Sequence, residues 1–506
     1  MHHDAVTAFH TAPGPVPRRG IGTLPYLISF FRDPIMNAGR LFEQYGPIVT
    51  PIRGPARVAS ASGRGVILVT GADINREVLT QHDRYHMYAL PGTFYPDEDV
   101  LARARAKNGR WGSPRVERLA PVTRTLTGLF HVNGNEHRRH RRLLMPAFHK
   151  TRIDAYGEEM VAATNALLEG WRAGQTRDIL EDMTRTTLRI ATATLFGEDV
   201  GERGVMLAKR MQEWLILMMK PTMIARLDLP WTSYRQWLDL TSEIDERTAS
   251  ILREKQARVK DGEVGRDMLS MLLAARDEDG SALDEDELIG HTGVIFAAGH
   301  ETSTNALAWT LLLLAEHPKV ASDVCDELRS VLHGDPPTVD KLTKLPLLDA
   351  VVKESLRILP PVPFHPRIVA EDHELGGYFL PKRTELMLSI FHMHHDPKVF
   401  SEPRRFNPAR WSTSKPTIYE YNPFSAGPRM CIGATFATME IKIVLATLLQ
   451  RFRVELAPSA RIDRRVAITM APKHGMPMRI RPADNGWKHG AGALRKGNVQ
   501  ELVQFN

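Results

Sequence analysis

Two cysteines occur in the 506 residues, Cys325 and Cys431, and the second sits where a thiol can react. Phe424-Ser425-Ala426-Gly427-Pro428-Arg429-Met430-Cys431-Ile432-Gly433 reads as a loop bounded by glycine and proline. Directly after it, Phe436, Met439, Ile441, Ile443, Val444 and Leu448 carry an apolar helical period. A thiolate at Cys431 would lie near that helix's amide end, where unpaired N–H groups and the macrodipole favour negative charge. The flanking glycines allow the backbone to approach something flat and large, and Arg429 offers a cation to an anionic group on it. Taken alone, these residues leave Cys431 as either a ligand or a nucleophile.

A second cluster is Phe296-Ala297-Ala298-Gly299-His300-Glu301-Thr302. An acid and a hydroxyl stand beside glycine inside a helical pattern, where propensity alone would place none of them. Ala298, Thr302 and Asn305 share one helix face by i, i+4 and i+3 spacing. A hydroxyl bonding back to a carbonyl beside Gly299 would open the helix locally. Core packing with a few satisfied polar groups is the alternative. Glu354 and Arg357, at i and i+3, form a pair of a kind common by chance.

The elements that must position these groups are mostly helical. Asp284 with Glu287 makes a capping box, and periodicity then runs to Glu316 before His317-Pro318 stops it. A helix of roughly 30 residues is long against a mean of ~11–12. Helices follow over Lys319 to Leu332 and Leu347 to Leu359. Upstream, residues 1–32 read as coil punctuated by Pro and Gly, and Arg84 to Phe130 as a long irregular region. Residues 155–260 are helical in pattern. Within them the Met-rich segment Met211 to Leu229 is either core or an adaptable apolar wall. After Pro363 come strands, then a proline-rich meander from Asp396 to Phe424. Arg453 to Leu456, Val466 to Met470 and Met478 to Ile480 read as hairpin-like strands, and 483–506 as a polar tail outside the fold. No repeat or linker-like composition interrupts the middle, so residues 33–482 read as a single domain.

Composition excludes several classes. A net charge of +7 with pI 9.3 is a small surplus for this length, and no zinc-finger or RNP pattern accompanies it, so nucleic acid is not an expected partner. No run approaches the ~18 apolar residues of a transmembrane anchor, and no signal-peptide pattern opens the chain. Two cysteines are too few for an iron–sulfur cluster. If Cys431 is a ligand, no disulfide remains, which favours a reducing, cytoplasmic setting. Gly20 and Gly22 follow coil rather than a strand, and Pro25 occupies the third glycine's place, so no dinucleotide fingerprint is present.

Phe424-x-x-Gly427-x-Arg429-x-Cys431-x-Gly433, Ala298-Gly299-x-Glu301-Thr302 and Glu354-x-x-Arg357, in three separate stretches, together resemble the cytochrome P450 superfamily in its soluble bacterial type. Phe406-x-Pro408-x-Arg410-Trp411 is similar to that family's meander motif, with Ala409 for the usual Glu and Trp411 for the usual Phe. His137-x-x-x-Arg141 stands where the family has Trp/His-x-x-x-Arg, and Arg367 matches its strand arginine. The similarity runs from about Leu41 to Arg481. It implies a mainly α fold with small β-sheets, the long central helix and the Cys loop lying on opposite faces of a haem.

The resemblance also implies roles. Cys431 would be the thiolate ligand of the iron of haem b, iron protoporphyrin IX. His137, Arg141, Arg367 and Arg429 would meet the propionates. Phe424 would pack beside the thiolate, and Gly427, Gly433 and Ala298 would border the haem. Glu354, Arg357 and Arg410 would form a buried triad that locks the meander. Thr302 would hold a distal water and Glu301 would feed protons inward, so that one atom of O2 leaves as water. Ala298 replaces the glutamate that some ω-hydroxylases of the family esterify to haem, so haem would be held non-covalently apart from the Cys–Fe bond.

A pocket lined by residues 84–130, Met218, Ala298, Val362, Phe364 and Met470 would be largely apolar, which implies a lipophilic substrate such as a fatty acid, terpenoid or steroid. With no flavin or iron–sulfur module, electrons would come from a separate ferredoxin or flavodoxin and its reductase. Arg138, Arg139 and Arg142 are candidates for docking it. Two other readings are a peroxide-driven peroxygenase, whose family examples typically carry Arg-Pro in place of Glu301-Thr302, and a haem sensor without turnover, which needs no proton relay.

Overall fold

The computed structural model describes residues 11–20, 22–52, 65–87, 120–125, 128–197, 201–218, 220, 227–261, 265–483 and 496–505. The chain divides into two compact units. The first comprises Met1–Leu101, Pro363–Val399 and Pro416–Met430, the second Ala102–Val362, Phe400–Lys415 and Cys431–Asn506. Composition carries no trace of this division, because each unit is assembled from three separate segments.

The first unit is built on a five-stranded sheet. Its strand order is Ile48–Val49, Val66–Val69, Glu385–Ser389, Phe364–Val369 and Tyr85–His86. Val66–Val69 runs parallel to Glu385–Ser389, and the other pairings are antiparallel. The parallel pair sits inside the sheet, which is why both strands are nearly continuous apolar runs. Val69, Val369, Leu386 and Leu388 form their core with Val78 and Leu79 of the helix Ala72–Thr80. The helix Leu24–Arg32 forms where coil is expected from sequence. Pro25 falls in its first turn, where a missing N–H costs nothing, so proline here starts a helix rather than breaking one.

The second unit is organised around the helix Glu285–Glu316, 32 residues long. At ~1.5 Å per residue it extends for about 48 Å. Its N-terminus carries the full capping box: Glu287 N donates to Asp284 Oδ1 and Asp284 N to Glu287 Oε2, each at 2.9 Å. From Ser303 to Leu314 every residue is buried, the signature of a helix surrounded on all faces. Thr187 and Thr304 join hydroxyls at 2.7 Å to tie it to the helix Ile179–Phe196. Thr310 donates to Ser355 at 2.7 Å, tying it to the helix Pro346–Ile358. The helix Ala434–Leu449 also packs against it.

Two sequence expectations are corrected in this unit. Val466 to Met470 is not a strand. Arg464–Val466 and Met470–Pro472 pair antiparallel, and Ala467-Ile468-Thr469 make the turn between them. The C-terminal residues are not all outside the fold. Val499, Leu502 and Val503 are buried, Glu501 pairs with Arg464 at 2.9 Å, and Arg404 Nη2 donates to Gln500 O at 3.0 Å. Polar neighbours mask three apolar residues whose i, i+3, i+4 spacing presents one face. Within 84–130, Tyr85–His86 is a strand and Ala120–Thr125 a helix, while residues 88–119 and 126–127 lie outside the described residues, as do 219 and 221–226 of the Met-rich segment. No described helix is long and apolar enough to cross a membrane.

Candidate active site

Gly433 is the residue preceding the helix Ala434–Leu449, which puts Cys431 just ahead of that helix's amide end. The Gly433 N–H donates to the sulfur, and the Arg141 guanidinium lies near enough to favour the thiolate. Cys431 is solvent-accessible, yet protein crowds round it closely enough that burial still raises its thiol pKa against both helpers. An unassisted nucleophile needs a lowered pKa. A thiol awaiting a metal does not, because coordination deprotonates it. Burial in turn lowers the pKa of Arg141, with Cys431 opposing. His137, one helical turn earlier in Gly134–Leu144, is buried. Cys325 is buried in another helix with its pKa pushed up to about 11 by desolvation, which leaves it inert.

Further along the long helix, Thr302 Oγ1 donates to Ala298 O at 2.8 Å. The helix nevertheless continues unbroken through Gly299, and a Cβ added there would meet nothing within 4 Å. Glu301 turns the other way and accepts from Thr469 Oγ1 at 2.7 Å through Oε1. Two residues after Glu301, Ser303 donates to Glu440 Oε2 at 2.5 Å. Glu440 is fully buried, and desolvation pushes its pKa up to about 8 despite that bond. Sequence reasoning missed Glu440, whose one available signal was being the sole acid of a mainly apolar helix.

Glu354 is saturated with donors. Its Oε1 accepts from Arg357 Nη2 at 2.9 Å, Arg410 Nε at 2.9 Å and Asn407 N at 3.0 Å. Oε2 accepts from Arg357 Nε at 2.9 Å and Trp411 Nε1 at 3.1 Å. Glu354 and Arg357 are both 0% exposed. The arginines' remaining N–H groups reach meander carbonyls, Arg357 to Pro403 O and Arg410 to Ser401 O, each at 2.8 Å. The meander is therefore held through its backbone, a role its side-chain identities barely record. The tryptophan in place of phenylalanine adds a fifth donor that a phenyl ring lacks.

The first unit holds the other candidates. Arg367, on the strand Phe364–Val369, is buried, and desolvation pulls its pKa down to about 10. Its described partners are Met87 Sδ at 3.1 Å and Pro366 O at 2.7 Å, neither of them an anion. Arg429 lies near enough to His86 to help depress that imidazole's pKa after burial. Phe424 is half-buried. Gly427 has φ +68°, and a Cβ there would meet Leu79 O at 2.2 Å. The close approach that demands this glycine is to the protein's own backbone rather than to a flat partner.

A family profile for cytochrome P450 matches residues 84–477, most of the chain. The chain belongs to the cytochrome P450 family. Among curated relatives, a cytokinin hydroxylase of Arabidopsis thaliana is 33% identical over 368 residues, covering 71% of this chain and 72% of that protein. Cyclooctat-9-en-7-ol 5-monooxygenase of Streptomyces melanosporofaciens is 32% identical, covering 64% and 72%. Pentalenene oxygenase of Streptomyces avermitilis is 31% identical, covering 70% and 79%. Among solved structures, the retinoic acid-bound cyanobacterial CYP120A1 superposes with a TM-score of 0.75 at 25% identity, covering 94% of this chain and all of that one. The P450DA heme domain gives 0.74 at 24% identity, a likeness of fold. The mainly α fold with small sheets is thus the P450 fold, and the protein is a P450 monooxygenase dependent on haem.

The residues present fit that cofactor. An accessible thiol supported by an N–H and a guanidinium suits an iron ligand, and a buried guanidinium whose described partners are neutral suits a propionate. Other expectations fare differently. Met470 and Met218 are 0% and 4% exposed, so their side chains sit in packing rather than on an accessible wall. Phe364 is buried, and Val362 and Ala298 are partly exposed. The basic run is less basic than its sequence. Arg139 pairs with Glu287 at 2.8 Å and Arg142 with Asp277 at 2.9 Å, while Arg138 reaches Asn135. Carboxylates from distant segments fold back onto it, leaving a cleft of about 460 Å³ lined by both charges.

Proposed function

We propose that this P450 inserts one atom of O2 into a lipophilic substrate, with haem b held by Cys431 and electrons from a separate redox partner in the cytoplasm. The observation that carries the reading is the Glu301–Thr302 pair, in the same unit as Cys431, with its two side chains turned to different partners. When bound, haem would supply the iron at which O2 is reduced. Thr302 Oγ1 spends its proton on Ala298 O and keeps lone pairs to accept from a water. Glu301, partly exposed, can exchange protons with solvent and pass them to that water. His137, Arg141, Arg367 and Arg429 would neutralise the propionates, and Phe424 would shield the thiolate. Glu354, Arg357 and Arg410 would keep the meander in place for haem retention. The ferredoxin or flavodoxin would dock near Arg138, Arg139 and Arg142.

The relatives suggest where a substrate screen should begin. Two of those named act on cyclooctat-9-en-7-ol and pentalenene, so a terpenoid-like hydrocarbon skeleton is the class to screen first. The reduced CO complex should show the red-shifted Soret band of thiolate ligation, and a band at the imidazole position would overturn the ligand assignment. Thr302→Ala should consume NAD(P)H while releasing peroxide. Unchanged coupling in that variant would remove Thr302 from the relay, and turnover driven by peroxide alone at the full rate would favour a peroxygenase.

A further inference from the structure

Glu301 can serve as a proton carrier only if one oxygen is kept for the proton while the carboxylate stays in place, and its surroundings provide for this. Its Oε1 accepts from the Thr469 hydroxyl at 2.7 Å, and among the described residues no other hydrogen bond engages the side chain. Thr469 is buried, and it belongs to the three-residue turn Ala467-Ile468-Thr469. That turn is not free to drift. The next residue, Met470, gives its carbonyl to Trp309 Nε1 at 2.9 Å and its N–H to Pro361 O at 2.8 Å. Within the turn, Ala467 N donates to Thr469 O at 2.9 Å. Trp309 lies on the same helix as Glu301, two turns on, and is fully buried. One helix thus anchors the turn at Trp309 and receives its hydroxyl at Glu301.

We propose that Thr469 is the positioning residue of the Glu301 proton relay, its hydroxyl fixing Oε1 so that Oε2 is the oxygen that carries the proton. This rests on the reading of Glu301 given above. A side chain with three rotatable bonds would otherwise sample several rotamers at a partly exposed site, and loss of orientation at a proton donor slows transfer. Thr469 itself does not ionise, and it would act only through the Glu301 carboxylate it touches. The substitution that tests it is Thr469→Val, which keeps the β-branched shape and removes the donor.

The probe reaction is substrate-free turnover of the holoenzyme with excess ferredoxin, ferredoxin reductase and NADPH. Release of hydrogen peroxide takes two electrons and two protons per O2, and complete reduction to two waters takes four of each. The NADPH:O2 ratio therefore runs from 1 for peroxide to 2 for water and needs no identified substrate. T469V should lower the ratio towards 1 and raise peroxide release by up to roughly tenfold, within the roughly 10²-fold that a 1 Å misplacement can cost. Thr469→Ser, which restores the hydroxyl, should behave as wild type. E301Q should give the largest peroxide yield, and E301Q/T469V no more than E301Q alone. A crystal structure of the T469V holoenzyme should show the Glu301 carboxylate turned away from the 467–469 turn.

If E301Q uncouples but T469V does not, the positioning role is wrong and the Glu301 reading stands. If E301Q leaves the ratio unchanged, the relay itself is wrong and Thr469 has nothing to position. If T469S, which keeps the hydroxyl, is as defective as T469V, the hydroxyl does not account for the loss and the positioning role is wrong. Should T469V retain no haem, Thr469→Ala against T469S makes the same comparison.

Discussion

Glu440 gives a quantitative test of how the helix Ala434–Leu449 is packed against the long helix. Its carboxyl is buried with Ser303 as hydrogen-bond donor at 2.5 Å, and desolvation raises its pKa from 4.5 to about 8. A group whose pKa is raised on folding contributes stability below its unfolded pKa and loses it as pH rises through the folded value. Here the window is pH 4.5 to about 8. Linkage gives a penalty of about 1 kcal/mol at pH 5 that grows to about 4 kcal/mol at pH 8. Glu440→Gln cannot ionise and keeps an oxygen for Ser303, so the penalty disappears whatever fixed cost the extra amide hydrogens add. The stability gap between E440Q and wild type should therefore widen in the variant's favour by roughly 3 kcal/mol from pH 5 to pH 8. Urea denaturation followed by far-ultraviolet circular dichroism at several pH values measures it, and every other titrating group cancels in the difference. Parallel stability curves would show that Glu440 is hydrated or ionised in the native protein and would refute the burial on which the calculation rests.

Three other perturbations follow from the geometry. Trp411→Phe removes the indole N–H to Glu354 Oε2, and a hydrogen bond to a charged group is worth ~1.5–3 kcal/mol; with four donors left, urea unfolding should show a loss near the low end, well short of the ~3–5 kcal/mol expected for Glu354→Ala. Leu502→Ala should cost ~2–5 kcal/mol if the C-terminal segment is docked, and nothing measurable if it is a free tail. Arg367→Met should move two observables in opposite directions: burying its charge lowers the pKa from 12.5 to about 10, worth about 3 kcal/mol, so the haem-free chain gains stability while haem transfer to apomyoglobin speeds up. A variant that loses stability without haem would mean that Arg367 has an anionic partner within the chain.

What could be read from the sequence divides along a physical line. The capping box of Asp284 and Glu287 is local, closed within four residues, and the structure contains it in full. Cys431, Glu301 and Thr302 stand out for a related reason: each breaks a local rule, a thiol at a helix start, an acid and a hydroxyl mid-helix. A side chain whose partner is a cofactor has to break such rules, because nothing nearby in the chain compensates it. Thr469, Glu440 and Trp411 break none. Threonine suits a turn, glutamate a helix, and tryptophan an aromatic position, and their meaning arises only where segments 168, 137 and 57 residues apart are brought together. The same holds for the basic run of Gly134–Leu144, whose carboxylate partners arrive from Asp277 and Glu287. The rule-breaking residues are thus the ones whose proposed partners lie outside the chain. The residues that hold those motif residues in place follow ordinary local preferences, and only the fold shows which of them they are.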